Sequence, residues 1–220
     1  MIKIDFKKTD KEFYQAKGQP TEVHIPTMKF LVAHGKGNPN NENGEFKNAV
    51  KALYGITFTI KMSYKKNYEI SGYFDYVAPP LEGYWWVENV EGFTYDNKDL
   101  AMWKVCLRVP DYVNEDIFRW ACEQVLKKKD HPDISVVSLS SWEEGHCVQM
   151  LHTGSYDDEP ATLEIMHTYM KEHGLLNDIG TLISPTHVRN HHELYLGNPQ
   201  KTEPSKLKTI IRIPVRKESI

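Results

Sequence analysis

Cysteine is scarce in this 220-residue chain: Cys106, Cys122 and Cys147 are an odd number and include no Cys-x-x-Cys pair. Neither a disulfide framework nor a structural zinc site is expected, and each thiol reads as a small core residue. Long apolar runs are missing too. None approaches the roughly 18 residues that a membrane-spanning helix needs, and the charged opening from Met1 to Lys8 has no signal-peptide character. No membrane partner is expected, and a reducing cytoplasm fits these absences. Positive charge is not in excess either, with 27 Lys and Arg against 30 Asp and Glu and a formal net charge of −3. No basic stripe marks a nucleic-acid partner. Lys127-Lys128-Lys129 closes a predicted helix, where it complements the helix dipole. The chain contains no Walker loop, GxGxxG, GxSxG or His-Glu-x-x-His motif. Nucleotide, serine-hydrolase and zincin chemistry therefore have no support, and no cofactor is expected. Aromatic residues are what the chain has in quantity: five Trp, twelve Tyr and eight Phe, many in clusters. Tyr and Trp join a stacking face to a polar tip, which suits ligand pockets as well as cores.

Residues 1–20 form a polar N-terminal extension ending at Gly18-Gln19-Pro20, too short for a helix-turn-helix reader. A strand is expected over Met28 to His34, then a loop. Phe46, Ala49, Val50 and Leu53 follow at helical spacing. Ile56 to Lys61, Tyr68 to Val77 and Met102 to Val109 read as strands. Asn114 caps a helix over about 114–128, and Trp142-Glu143-Glu144-Gly145 reads as a turn between the strands Ser135 to Leu139 and His146 to His152. A helix carrying Leu163, Met166, His167 and Met170 on one face ends at Gly174. A loop with Pro185, a strand through His191-His192-Glu193-Leu194-Tyr195-Leu196 and a last strand over Leu207 to Val215 complete the chain.

Two landmarks recur. His34-Gly35 and His152-Thr153-Gly154 each precede a loop and a helix, and Leu107-Arg108-Val109-Pro110 matches Ile211-Arg212-Ile213-Pro214. This predicts an α+β fold of two tandem βαββ-type modules, about 21–110 and 140–216. They are expected to be related by pseudo-two-fold symmetry around a central ligand cleft.

At Pro80-Leu81-Glu82-Gly83-Tyr84-Trp85-Trp86, His152-Thr153-Gly154-Ser155-Tyr156 and His192-Glu193-Leu194-Tyr195-Leu196 the chain resembles the GyrI-like small-molecule-binding proteins. The closing stretch from Pro204 to Arg212 is similar to their stand-alone branch, and the resemblance spans residues 21–216. It implies a glutamate at the Glu193 position in the cleft, where related effector domains of multidrug-responsive activators meet flat cationic drugs. One stand-alone branch is similar to cyclopropanoid cyclohydrolases, which destroy cyclopropane-bearing alkylating toxins with an aromatic cage and a carboxylate. The Trp-Trp block and the missing DNA-binding domain place this chain nearer that branch.

On a strand, His191, Glu193 and Tyr195 share one face, while His192 and the two leucines share the other. Glu193 and Tyr156 are the expected catalytic residues, Glu193 activating or positioning water and Tyr156 donating to the substrate's carbonyl. Trp85, Trp86, Tyr84, Phe74, Tyr76 and Tyr195 are the expected substrate-binding residues. Trp85 and Trp86 must face opposite ways, with Tyr84 on the side of Trp86, and alternation alone does not say which side meets the ligand. His191 and His192 diverge on a strand, so no metal site is expected. Three functions follow: hydrolytic detoxification of a planar, hydrophobic, strained electrophile; binding or sensing of such compounds without catalysis; and inhibition of gyrase type through the protein's surface.

Overall fold

The computed structural model describes residues 3–87, 98–184 and 187–218. Pro185, expected in the loop before the Glu193 strand, lies outside the described residues. The elements run α1 (Phe6–Thr9), α2 (Lys11–Tyr14), β1 (Thr21–Lys36), α3 (Glu45–Lys61), β2 (Leu81–Val87), β3 (Ala101–Arg108), α4 (Glu115–Leu126), β4 (Val137–Thr153), α5 (Glu159–Glu172), β5 (Leu175–Asn177), β6 (Leu182–Ser184), β7 (His187–Val188), β8 (His191–Tyr195) and β9 (Lys208–Lys217). Six strands pair antiparallel in the order β4-β1-β3-β2-β8-β9, and β9 returns to β4, so the sheet closes into a barrel-like ring. Closure depends on the length of β4. Its first part pairs with β1, from Ala33↔Val137 to Thr21↔Gln149, and its end pairs with β9, from Cys147↔Pro214 to Thr153↔Lys208.

β4 also replaces the expected turn at Trp142-Glu143-Glu144-Gly145, which is continuous strand. Trp142 and Glu144 point into the ring, whereas beyond Gly145 the odd-numbered Gln149 and Leu151 do so. The alternation changes phase at Gly145, whose φ of 75° a side chain would resist. A sequence pattern broken at that residue looks like two strands and a turn.

Two further expectations change. Ile56 to Lys61 is the last part of α3, because Ile56 and Ile60 continue the buried stripe of Ala49, Ala52 and Leu53. Tyr68 to Val77 forms no strand beyond a single bridge between Ile4 and Tyr76.

Among the described residues, apolar packing falls into three clusters. Leu31, Ala33, Val105 and Leu107 carry α3 and α4 on the outer face of the ring, and Asn114 accepts a bond from the Ile117 N–H at 3.0 Å to start α4. Val148, Met150, Ile211 and Ile213 carry α5 through Met166 and Met170. The third cluster draws on all six strands and fills the interior, with Phe30, Tyr84, Cys106, Trp142, Leu194 and Ile210 among its members. Phe6, Phe13 and Tyr14 complete it, so the polar opening of the chain is a plug rather than an appendage.

Charged groups are buried within this interior. His192 Nδ1 lies 2.7 Å from Glu144 and its Nε2 3.2 Å from Glu82, while Arg212 reaches Glu144, Gln149 and the Phe13 carbonyl. Burial alone would lower the His192 pKa, but Glu144 and Glu82 raise it. Burial alone would raise that of Glu144, yet His192 and Arg212 bring it down to about 2. The cysteines are free: Cys106 and Cys147 are buried and Cys122 partly so.

Candidate functional site

The outer face of β2 and β8, between the regions covered by α3 and α5, carries a different set of polar groups. Pairing sets Gly83 across from Glu193 and Trp85 across from His191. His191, Glu193 and Tyr195 share this face, while His192 and Leu194 turn into the ring, as the alternation predicts. Tyr195 donates to Glu193 Oε2 at 2.8 Å, the Trp85 indole N–H donates to the Tyr195 oxygen at 2.8 Å, and His191 Nε2 lies 2.9 Å from Glu193 Oε1. Glu193 is 5% exposed and both of its oxygens are engaged. Phe46, at the start of α3, stacks on Trp85 at 5.6 Å and meets Trp103 edge-on at 5.3 Å, which extends the aromatic wall.

The second side of the site comes from the turn into α5. His152 bonds Thr162 Oγ1 at 2.8 Å and the Ser155 carbonyl at 2.9 Å, which ties the end of β4 to the first turns of the helix. This brings Tyr156 edge-on to Tyr195, with ring centroids 5.8 Å apart. It also brings in Glu159, fully buried in the first turn of α5. One ligand atom from each of Glu159, His191 and Glu193 lies within 4.8 Å of the other two. Burial, and then the Glu193 and Glu159 carboxylates, push the Tyr156 phenol up to about 12. Burial and Glu193 also hold Tyr195 well above its usual value. Both phenols keep their protons at neutral pH and can donate hydrogen bonds.

The structure thus gathers Glu193, Trp85, Tyr156 and Tyr195 and separates the other expected residues from them. Tyr84 is on the inner face, stacked on His192 at 3.9 Å and closed in by Trp142. Trp86 shares its side by strand alternation and pairs with Met102. Tyr76 is buried among the interior residues, its hydroxyl donating to the Thr57 carbonyl at 3.4 Å. Phe74 lines a separate cavity of about 160 Å³ with Phe6, Arg108 and Tyr112. Two geometric facts set these four residues apart: only odd-numbered β2 residues face β8's outward set, and residues 74 and 76 precede β2 at the plugged end of the ring.

Sequence reasoning gave His191 no role in the site and missed Glu159. Beside Asp157 and Asp158 it looks like ordinary first-turn acid. The available signal was the buried stripe of Met166 and Met170, which runs back through Thr162 to Glu159. His191 and His192 do diverge, but among the described residues Glu159 and Glu193 join His191 in a donor set that could hold a divalent cation.

Residues 18–216 match the family model described as the GyrI-like small molecule binding domain. The chain belongs to that family. An uncharacterized conserved protein from Listeria innocua is 45% identical, with a TM-score of 0.89 over 97% of this chain and all of that one. A structure described as a hydrolase from the same organism is 43% identical, with a TM-score of 0.86 and coverage of 97% and 100%. The EcmrR C-terminal domain, at 13% identity and a TM-score of 0.52 over 91% of this chain and 98% of that one, shares the fold alone. No curated protein matches the chain. No helix among the described residues is long and apolar enough to cross a membrane.

Proposed function

We propose that this protein is a hydrolase that binds planar, hydrophobic small molecules against Trp85, Tyr156 and Tyr195 and opens strained, cyclopropane-bearing electrophiles with water. The observation that carries the reading is the buried Glu193 carboxylate, held by Tyr195 and His191 inside an aromatic wall. A locked carboxylate can fix or deprotonate a water molecule, and a protonated Tyr156 can donate to the substrate carbonyl as charge develops there. The similarity to two Listeria structures described as hydrolases supports the same reading. The protein works as a detoxifying enzyme in the cytoplasm, without a cofactor. The order β1-α3-β2-β3, and the order β4-α5-β8-β9 once the short strands β5 to β7 are set aside, support two tandem βαββ modules, about 21–110 and 140–216, related by a pseudo-two-fold axis and joined by the helix at about 114–128.

The test is mass spectrometry after incubation with a cyclopropylindolone alkylator. Product heavier by one water is expected. Compound held tightly but unchanged would instead establish the binding-only reading, which the small-molecule-binding family supports.

A further inference from the structure

Three buried side chains from two elements converge beside the aromatic wall. Glu159 comes from the first turn of α5, and His191 and Glu193 come from β8. Their polar atoms form a triangle with no side above 4.8 Å. Such a triangle contains a point no more than about 2.8 Å from every corner, which is the ordinary length of a hydrogen bond to water. One water molecule at that point can reach all three groups together.

The two carboxylates arrive from different elements. Glu193 accepts from Tyr195 at one oxygen and meets His191 Nε2 at the other, and the Trp85 indole in turn fixes Tyr195. That chain of bonds fixes its direction. Glu159 approaches from the helix side, where the first-turn amides favour its negative charge.

We propose that Glu159, His191 and Glu193 cradle the hydrolytic water, with Glu159 as the base that takes its proton and His191 and Glu193 as the groups that aim it. The proposal rests on the hydrolytic reading above and names a catalytic residue beyond Glu193. In the step, the water oxygen bonds to the ring CH2 of a cyclopropane conjugated to a carbonyl. The ring C–C bond breaks, and its electron pair moves on to the carbonyl oxygen. The proton taken by Glu159 returns through Tyr156 or solvent to that oxygen, so the product is substrate plus one water.

The experiment has two arms. Crystals of the free protein, grown once with EDTA and once with zinc sulfate, should show an ordered water within hydrogen-bond reach of all three groups in the first case. No water at that point overturns the cradle. A zinc ion there, together with activity that EDTA abolishes, overturns it in favour of a metal centre. In the kinetic arm, Glu159→Gln should lower turnover of the cyclopropylindolone by about 10²–10⁴-fold, with affinity for a neutral, unreactive planar analogue unchanged within a few fold. Glu159→Asp should recover part of the rate, which separates proton transfer from a folding defect. Full activity in Glu159→Gln, with activity lost in Glu193→Gln, overturns this proposal alone. A wild-type protein that hydrolyses no strained electrophile overturns the hydrolytic reading and this one together.

Discussion

The indole N–H of Trp85 on β2 meets the phenol oxygen of Tyr195 on β8 at 2.8 Å, directly over the backbone of Gly83. A Cβ at residue 83 would lie 2.8 Å from the Trp85 Nε1 and 2.9 Å from the Tyr195 oxygen. The smallest residue therefore stands opposite Glu193 because the hydrogen-bond chain that orients Glu193 crosses that space.

Gly83→Ala should push Trp85 and Tyr195 apart. Overpacking of this kind costs roughly 1–3 kcal/mol. Urea denaturation should show a loss in that range, and affinity for a planar ligand should fall in parallel. Unchanged stability and affinity would mean that the bond between Trp85 and Tyr195 does not hold the wall.

Glu193→Gln preserves the shape of the side chain and removes its charge. Turnover should fall by about 10²-fold, the typical cost of a misplaced reacting group, while binding of a neutral planar ligand changes little, because stacking on aromatic walls does not depend on that charge. If the protein only senses cationic compounds, the same variant should weaken those ligands instead. Product formation and ligand affinity, measured together on wild type and variant, decide between the two.

The interior ion network gives stability a predictable pH dependence. The pKa of Glu144 falls from 4.5 to about 2 on folding, so its contribution is present above pH 4.5 and is lost as pH drops toward 2. The pKa of His192 is raised above 6.5, so its contribution is full below that pH and is lost as pH rises through the folded value. Stability measured by chemical denaturation should therefore decline on both sides of a plateau between the two. Glu144→Gln should flatten the acid limb. Glu144→Ala, which strands His192 and Arg212, should cost about 3–5 kcal/mol.

The family match begins at residue 18, yet Phe13 and Tyr14 belong to the interior cluster. Phe13→Ala should cost about 3–5 kcal/mol, read as a lower urea midpoint at unchanged slope. A loss within measurement error would make the plug an ornament of the fold.

Local pattern alone determined several features of this protein. The period of two in residues 191–196 set Glu193 and Tyr195 on one face and His192 on the other, and Asn114 marked the start of α4. Those signals survive because they need only the pleat of one strand or the cap of one helix. Which of Trp85 and Trp86 would meet Glu193 was not legible, since alternation fixes opposition but not side. The pairing of Gly83 with Glu193 decided it. The length of α3 and the continuity of β4 were hidden for a related reason. Thr57-Phe58-Thr59-Ile60 alternates like a strand until α4 packs on its helical stripe, and the phase change at Gly145 imitates a turn until β1 pairs across it. Glu159 and Glu193 are far apart in the chain and carry no shared local signal. Only closure of the ring through β4 and β9, with α5 laid across it, brings the two carboxylates within 4.8 Å, because burial of Met166 and Met170 sets where that helix begins.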